Sequence, residues 1–283
     1  MSRVIDTFEN LYRRAQGDTL RRHTLAQIGR MAIPIMRQQI GPKIKKQYGF
    51  ELDVTGQENI PQGRTVFVAP HQTYEDIEVC MAAYGEFCNP FVAIDGGADE
   101  AQWRQLELLD VTGTLRGTHP LAKKRQAEAK REEIAKLKAE YKQMVWPEGT
   151  YCPDFNGLLG FWKGGSVEAA DESDSPIVPI MLTYALNSEA TITECHVHFG
   201  ESFDYRQYSD SIQAANGLRL RMLEMKIEMN AAHNPKVDQA LYSKFRAAQV
   251  VRFPTDHEYR DGARYSLDYK TDPTAVETRF RDQ

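Results

Sequence analysis

The sequence predicts an α/β domain built on a mixed, mostly parallel sheet that is flanked by helices. From about residue 50, short apolar stretches of strand length alternate with longer segments of helical periodicity. Strand, helix and strand in this order is typical of parallel sheets whose two faces are covered by helices. Active sites in such sheets lie in the loops beyond the carboxyl ends of the strands, so the residues that follow the strands are the first candidates for function.

The chain of 283 residues divides by its pattern into three parts. Residues 1–48 are predicted to form an amphipathic, membrane-facing helical element, residues 49–250 the α/β domain, and residues 251–283 a polar, turn-rich C-terminal tail. A chain of this length can bury one large hydrophobic core and carry a small appendage.

The N-terminal part is strongly basic, although the whole chain has a formal net charge of -5. Residues 1–50 contain ten Lys and Arg against three Asp and Glu. Apolar residues recur there at helical spacing: Leu25, Ile28, Ala32 and Ile35. A basic amphipathic helix either lies on an anionic membrane or packs on its own domain with a solvated basic face, and both interpretations stay open.

The sequence also bears on compartment and partners. Four cysteines, at positions 80, 88, 152 and 195, form no Cys-x-x-Cys pair, which argues against a disulfide framework or a zinc ribbon. No apolar stretch approaches the ~20 residues of a membrane-spanning helix, and the first residues lack the layout of a signal peptide. We expect a cytoplasmic protein, peripheral on the cytoplasmic face of the membrane. No RNA-binding signature or recognition helix predicts a nucleic-acid partner.

Six short apolar stretches are the predicted strands. They are Thr65 to Ala69, Pro90 to Ile94, Val111 to Leu115, Gln143 to Trp146, Ile177 to Thr183 and Thr191 to Phe199. Two longer segments, Leu121 to Met144 and Ile212 to Ala232, have helical periodicity. Their apolar stripes consist of Ile134, Leu137, Tyr141 and Met144 and of Leu218, Met222, Met225 and Met229. Both stripes are expected to face the core, and a wall for an acyl chain is the alternative for the methionine-rich one.

The candidate catalytic pair lies in the octapeptide APHQTYED, residues 69–76, which follows the first predicted strand. If Asp76 accepts a hydrogen bond from one ring nitrogen of His71, the other nitrogen can take a proton from a substrate hydroxyl or amine. The chain would then need no nucleophile of its own. The alternative is structural, with Asp76 capping the following helix.

Two further polar clusters follow predicted strands. Pro147 to Thr150 form a Pro-Glu-Gly-Thr turn, which places the Glu148 carboxylate and backbone amides at the same edge of the sheet. Another strand ends in Arg116, whose planar guanidinium suits bidentate phosphate contacts. Taken alone, the first is an ordinary turn and the second an ordinary surface charge.

The order and spacing of these motifs resemble the glycerol-3-phosphate and 1-acylglycerol-3-phosphate (lysophospholipid) acyltransferase family. His-x-x-x-x-Asp is followed by Arg116, by Pro-Glu-Gly-Thr, by Phe161 to Ser166, and finally by Pro176 to Ile180. The resemblance covers roughly residues 50–200 and all four of the family's sequence blocks. It implies an α/β domain, usually preceded by a helical element that docks on the membrane.

Carried over by position, the resemblance makes His71 the general base and Asp76 its partner. An acyl group would pass directly from an acyl-CoA or acyl-carrier-protein thioester to the hydroxyl of a lysophospholipid or glycerophosphate-like acceptor. It implies neither a metal nor a cofactor beyond the thioester co-substrate. Arg116 would hold the acceptor phosphate. The other implied substrate-binding residues are Glu148, Gly149, Thr150, Tyr151, Lys163 and Gly164.

Two departures from the family pattern bear on the acceptor. Tyr151 stands where the family typically has arginine, and Asp95 stands where a lysine often follows the strand. Because two cationic contacts are missing, a less charged acceptor such as an amine, a sugar or an aminolipid becomes credible. An N-acyltransferase that uses the same base is therefore an alternative to the O-acyltransferase.

Three other interpretations of the sequence are a thiol hydrolase, a scaffold and a metal site. A thiol hydrolase would use Cys80, Cys88 or Cys152, but no cysteine lies in a motif that indicates activation. A membrane-associated scaffold without turnover is the second, and the intact candidate site argues against it. The third is a metal site. Its candidates, Glu194, His196 and His198, share one face of a predicted strand and are more simply explained as the polar face of an edge strand.

Overall fold

The computed structural model of the protein describes residues 49–72, 76–85, 88–93, 111–114, 120–148, 162, 164–189 and 192–233. The predicted N-terminal helical element (1–48) and the C-terminal tail (251–283) lie outside the described residues. Among the helices that the structure does describe, none has the length and hydropathy needed to cross a bilayer.

Seven strands form the sheet. They are β1 (Glu51–Thr55), β2 (Thr65–Val68), β3 (Asn89–Ala93), β4 (Thr112–Thr114), β5 (Lys142–Val145), β6 (Ile177–Leu186) and β7 (Ile192–Phe199). Their order across the sheet is β1-β7-β6-β2-β5-β3-β4. Every neighbouring pair is parallel except β6 and β7, which are antiparallel. The predicted mixed, mostly parallel sheet is confirmed.

Helices cover both faces of this sheet. They are α1 (Asp76–Tyr84), α2 (Pro120–Lys138), α3 (Gly165–Ser173) and α4 (Ser211–His233), with short 3-10 turns at Gln57–Asn59 and Tyr205–Gln207. The apolar side chains of α1 pack on one face, and those of α2, α3 and α4 pack on the other. The result is a three-layer arrangement in which the sheet separates two hydrophobic clusters.

Strand β2 lies at the centre of the core and illustrates why these residues form this sheet. Phe67 faces the cluster beneath α1, whereas Val66 and Val68 face the cluster on the other side. All four residues of the strand are fully buried. A strand covered on both faces has no polar side, which explains its uninterrupted apolar sequence.

Strand β1 was not among the predicted strands, and it changes the position of β7. Its residues alternate between exposed Glu51, Asp53 and Thr55 and half-buried Leu52 and Val54. β1 pairs in parallel with β7, so β7 lies inside the sheet and the prediction of an edge strand there is wrong. The prediction of a polar face is correct, because Cys195 and Val197 point into the core between the polar residues of β7.

The first predicted helix ends earlier than expected. α2 ends at Lys138, so Tyr141 lies beyond it and Met144 belongs to β5, although Ile134 and Leu137 are buried as predicted. The reason is a Schellman motif centred on Glu140, which has a φ of 63°. The backbone N–H of Tyr141 donates to the Lys136 carbonyl, and that of Glu140 donates to the Leu137 carbonyl.

The second predicted helix agrees with the structure. α4 extends only one residue beyond the prediction at each end. Its stripe, Leu218, Met222, Met225 and Met229, is buried in the core beneath the sheet, which confirms the core interpretation of these methionines.

Candidate active site

The carboxyl ends of β2 and β5 bring two of the predicted motifs together. These strands are parallel neighbours, and the backbone N–H of Ala69 continues their ladder by donating to the Val145 carbonyl at 3.0 Å. Two residues further on, the backbone N–H of His71 donates to the Glu148 carboxylate, with N and Oε2 separated by 2.7 Å. Glu148 is buried, so its carboxylate fixes the backbone of the candidate base at this edge.

His71 faces Asp76, as the sequence predicted. The ring nitrogen Nδ1 lies 3.2 Å from Oδ2 of Asp76. The aspartate side chain is fully buried at the start of the described part of α1, whereas 17% of the His71 side chain is exposed. The pair therefore consists of a buried carboxylate and a ring that reaches the surface, which is the arrangement a proton-accepting histidine needs.

Two further donors to the Asp76 carboxylate lie among the described residues. Oδ2 also accepts the backbone N–H of Gln72 at 2.5 Å, and Oδ1 accepts the hydroxyl of Tyr184 on β6. A buried carboxylate is costly unless hydrogen bonds replace its water. Three donors to one buried carboxylate supply that compensation and also hold it in one orientation.

Gln72 fixes the same loop from the other side. Its side-chain Nε2 donates to the Leu182 carbonyl of β6 at 3.1 Å, and the residue is almost completely buried. In the described part of this loop, residues 69–72, the backbone donors are satisfied in turn by Val145, Glu148 and Asp76, and Pro70 has no N–H to satisfy. These hydrogen bonds hold the backbone of His71 in one position, which in turn fixes the position of its ring.

Tyr184 and Gln72 are two site residues that the sequence did not identify. The signal for Tyr184 is a tyrosine inside the apolar stretch IVPIMLTYAL, because a buried tyrosine hydroxyl usually finds a partner. The signal for Gln72 is a polar residue directly after the histidine, only four positions beyond a strand whose sequence is apolar. Neither signal indicates which residue the side chain hydrogen-bonds to, because in both cases that residue is more than 100 positions away in the sequence.

The remaining predicted site residues divide into two groups. Arg116, Gly149, Thr150, Tyr151 and Lys163 lie outside the described residues, as does Asp95. The strand that precedes Arg116, β4, is three positions from β2, which is about 14 Å at the usual strand spacing.

Gly164 lies directly before α3, in contact with the beginning of α4. A Cβ at this position would lie 2.8 Å from Oγ of Ser211 and 3.0 Å from its carbonyl oxygen, so the close approach of the two helices needs a glycine. Because α3 connects two strands that run in the same direction, it runs back along the sheet and begins near the carboxyl edge. Gly164 therefore lies near the carboxyl edge of the sheet, the edge at which His71 also lies.

The described cysteines have the properties of core residues. Cys80, Cys88 and Cys195 are completely buried. Burial raises the pKa of the Cys80 and Cys195 thiols well above the usual value, with the Asp76 charge adding to both, and raises the pKa of Cys88 to about 12. They remain protonated near neutral pH, which argues against a thiolate nucleophile at Cys80 or Cys88. Cys152 lies outside the described residues.

The part of the sequence that forms this site matches a known protein family. Residues 51–183 match the sequence model of the family described as Acyltransferase. These residues belong to the acyltransferase family. The match begins with β1 and ends in β6, so the acyltransferase domain contains His71, Asp76 and Glu148 together with six of the seven strands. The family resemblance of the sequence motifs is confirmed.

A solved structure shares the fold of the acyltransferase domain. The crystal structure of the 1-acyl-sn-glycerophosphate (LPA) acyltransferase PlsC from Thermotoga maritima superimposes with a TM-score of 0.56 at 21% sequence identity. The similarity covers 71% of this chain and 81% of that one. At this identity the comparison shows a common α/β fold. A comparison with curated proteins gave no match.

Proposed function

We propose that the protein transfers a fatty acyl group from an acyl-CoA or acyl-carrier-protein thioester to the hydroxyl of a lysophospholipid or glycerophosphate-like acceptor. The observation that carries this proposal is the contact between His71 and the buried Asp76 carboxylate at the carboxyl edge of an acyltransferase-family sheet. Glu148 supports it, because its carboxylate fixes the backbone of His71 at that edge.

His71 acts as the general base in this proposal. With Asp76 facing Nδ1, the neutral imidazole carries its proton on Nδ1 and presents the lone pair of Nε2 to the acceptor. As the acceptor hydroxyl attacks, its proton moves to Nε2 and the ring becomes an imidazolium. The Asp76 carboxylate stabilises that positive charge without taking the proton itself.

The transfer needs no acylated side chain. The acceptor oxygen forms a bond to the thioester carbonyl carbon, and the carbon–sulfur bond breaks as the tetrahedral intermediate collapses. The departing thiolate takes the proton from Nε2, which returns His71 to its neutral form. Direct transfer agrees with the high pKa of the described cysteines, because none of these thiols is ionised to serve as a nucleophile.

The other implied residues complete the proposed acceptor and donor sites. Glu148 would have two roles in this scheme. Its carboxylate holds the backbone of His71, and as part of the Pro-Glu-Gly-Thr turn it would also help to bind the substrates. Arg116 would bind an acceptor phosphate. Gly149, Thr150, Tyr151, Lys163 and Gly164 would shape the site around the acceptor and the thioester.

Acylation of an amine is the second candidate function. Tyr151 and Asp95 favour it, because each replaces a cation that would bind an anionic headgroup. The same general base would serve, since His71 can take a proton from an attacking neutral amine as it does from a hydroxyl.

Product analysis tests the proposal. The full chain is incubated with mixed acyl-CoA and acyl-carrier-protein thioesters and with glycerol phosphate, lysophosphatidate, other lysophospholipids, amines and amino acids, and the products are identified by mass spectrometry. We expect a new O-acylated lipid that is absent from a mock purification. An N-acylated product would instead establish the second function, and release of free fatty acid alone, without any acylated acceptor, would contradict both.

We further propose that the protein works at the cytoplasmic face of the membrane through its N-terminal segment. This proposal rests on the ten basic residues among residues 1–50 and on the lipid nature of the proposed acceptor. An anionic leaflet attracts such a segment with about 1 kcal/mol for each Lys or Arg near the surface.

Reversing three of these charges is expected to weaken membrane binding. In a variant with Lys43, Lys45 and Lys46 changed to glutamate, we expect the partition coefficient onto anionic vesicles to fall by at least roughly 100-fold, because about 1 kcal/mol is lost at each position. Co-sedimentation with phosphatidylglycerol vesicles measures this. Binding of the unmodified protein should weaken as salt is added.

A matched variant controls for net charge. Lys123, Lys124 and Lys138 are exposed on α2, and changing all three to glutamate alters the total charge by the same amount. We expect this variant to bind vesicles almost as well as the unmodified protein. Equal losses in the two variants would mean that binding follows net charge and that the N-terminal segment has no special role.

A further inference from the structure

A second cluster of ionisable side chains lies on the opposite face of the sheet from Asp76. Asp53 of β1 and His196 of β7 are paired across the two strands, and Oδ2 of Asp53 lies 3.2 Å from Nδ1 of His196. His233, the last residue of α4, stacks on His196 with 3.8 Å between the ring centres and 15° between the planes. Three elements that are far apart in sequence thus contribute one side chain each.

We propose that Asp53, His196 and His233 bind a divalent transition metal ion, with Zn²⁺ as the best match. One ligand atom from each of the three lies within 4.8 Å of the others. At metal–ligand distances of about 2.1 Å, two ligands of a tetrahedral ion are roughly 3.4 Å apart, so the three ligand atoms are close enough to share an ion. Because the lone pair of an imidazole nitrogen lies in the ring plane, the His233 ring must rotate out of its stack on His196 when the ion binds. Two imidazoles and one carboxylate favour Zn²⁺ over the hard cations, which prefer all-oxygen sites.

Glu194 provides the orientation that such a histidine needs. Its Oε2 lies 3.4 Å from Nε2 of His196, on the opposite side of the ring from Asp53. Metal-binding histidines commonly donate their other ring N–H to a carboxylate, which fixes the tautomer. With Nε2–H held by Glu194, the lone pair of Nδ1 points toward Asp53.

An ion-pair cluster without metal explains only part of the arrangement. It accounts for His196, which lies between two carboxylates. It leaves His233 with only its stacking contact on His196, since the His233 ring makes no ion pair with any residue in the described part of the chain. A metal ion gives this ring a ligand role. Asp53 and His233 are exposed, so the ion can enter from solvent.

The proposed site would join the end of α4 to the edge of the sheet. His196 belongs to the polar face of β7, whereas its neighbours Cys195 and Val197 face the cluster that contains Tyr184. A metal at His196 is therefore separated from the Asp76 carboxylate by the sheet itself. We assign it a structural role, in which it stabilises the contact of α4 with β7 and β1.

Calorimetric titration of the full chain with Zn²⁺, after chelator treatment, tests the site. We expect one Zn²⁺ per chain, a higher melting temperature with Zn²⁺, and no binding of Mg²⁺. The variants His233→Ala and Asp53→Asn should each bind Zn²⁺ more than about tenfold more weakly. Both are compared with the unmodified protein in chelator, so that a general loss of folding is recognised by its melting temperature.

His198→Ala is the matched control. His198 lies two residues along the same face of β7 and hydrogen-bonds to Thr55 at 2.9 Å, outside the cluster. We expect its affinity for Zn²⁺ to be unchanged. The proposal is overturned if the unmodified chain binds no stoichiometric Zn²⁺, if His198→Ala weakens binding as much as His233→Ala does, or if His233→Ala has no effect.

Discussion

Replacing His71 with alanine is expected to lower kcat for acyl transfer by about 10³- to 10⁴-fold, because the acceptor hydroxyl then loses its proton to water instead of to a positioned base. KM should change little, since the side chain takes part in proton transfer more than in binding. Steady-state kinetics with the acceptor identified by product analysis measures both constants. The melting temperature should remain close to that of the unmodified protein, because the ring reaches the surface.

Asp76→Asn separates the charge of the carboxylate from its hydrogen bonds. The amide oxygen can keep the contacts with Gln72 and His71, while the amide nitrogen faces Tyr184, whose hydroxyl can accept as well as donate. The pair then stays in place but no longer stabilises the imidazolium. We expect a loss in kcat of about 10²- to 10⁴-fold with a folded protein.

Tyr184→Phe provides the graded comparison. It removes one of the donors to Asp76 that the structure describes and leaves the carboxylate charge and the His71 contact in place. The loss in kcat should therefore be clearly smaller than for Asp76→Asn. Normal turnover by a folded His71→Ala protein would contradict the general-base role, and equal losses in Tyr184→Phe and Asp76→Asn would mean that orientation outweighs charge.

The sequence was sufficient to predict the central part of this fold. The strand that precedes His71 is buried on both faces, so its apolar sequence carries a strong signal. The strand that precedes Glu148 ends in two apolar residues, Met144 and Val145, which are also buried. The order of these strands with the intervening helices predicted a parallel sheet, and hence that His71 and Glu148 meet at one edge. The five-residue spacing predicted the contact with Asp76, since the partner is close in the chain.

The parts that were missed depend on contacts between distant residues. β1 has the sequence ELDVT, in which exposed charges alternate with half-buried residues, and its pairing with β7 is formed across more than 130 positions. Nothing near Tyr184 indicates that its hydroxyl reaches Asp76, 108 positions earlier. The early end of α2 was missed for a local reason, because a glutamate occupies the left-handed position that glycine usually fills.

Glu133 is expected to make the stability of the protein strongly dependent on pH. Its side chain lies on the inner face of α2, only 3% exposed, and Oε1 has no hydrogen-bond partner among the described residues. Burial raises the pKa of this carboxyl from 4.5 to about 8, against the opposing effect of Lys130 and Lys136. Lys130 is directed mainly toward Glu168 and Glu172, which limits its effect.

Glu133→Gln should therefore stabilise the protein above neutral pH. In the folded state Glu133 keeps its proton up to about pH 8, whereas in the unfolded chain it ionises near its usual pKa of 4.5. The free energy of unfolding then falls as pH rises through this interval, by about 1.4 kcal/mol per unit, and levels off above the folded pKa. Glutamine carries no charge to desolvate, so the variant should be more stable by up to about 5 kcal/mol near pH 8.5.

Urea unfolding between about pH 5 and about pH 8.5 measures this difference, with Glu132→Gln as the matched control. Glu132 is the preceding residue on α2, but its carboxylate is partly exposed and pairs with Lys136 at 2.9 Å, so its removal should bring no gain at high pH. At about pH 5 the unmodified protein and Glu133→Gln should have similar stability, because both side chains are then neutral in the folded state. Parallel curves for these two proteins across the whole interval would show that Glu133 ionises in the folded state as it does in water. A gain confined to high pH and absent from Glu132→Gln would instead locate the effect in the desolvated carboxyl of Glu133, and it would mean that the helix covering β4 and β5 has retained a charge-bearing residue at a cost in stability.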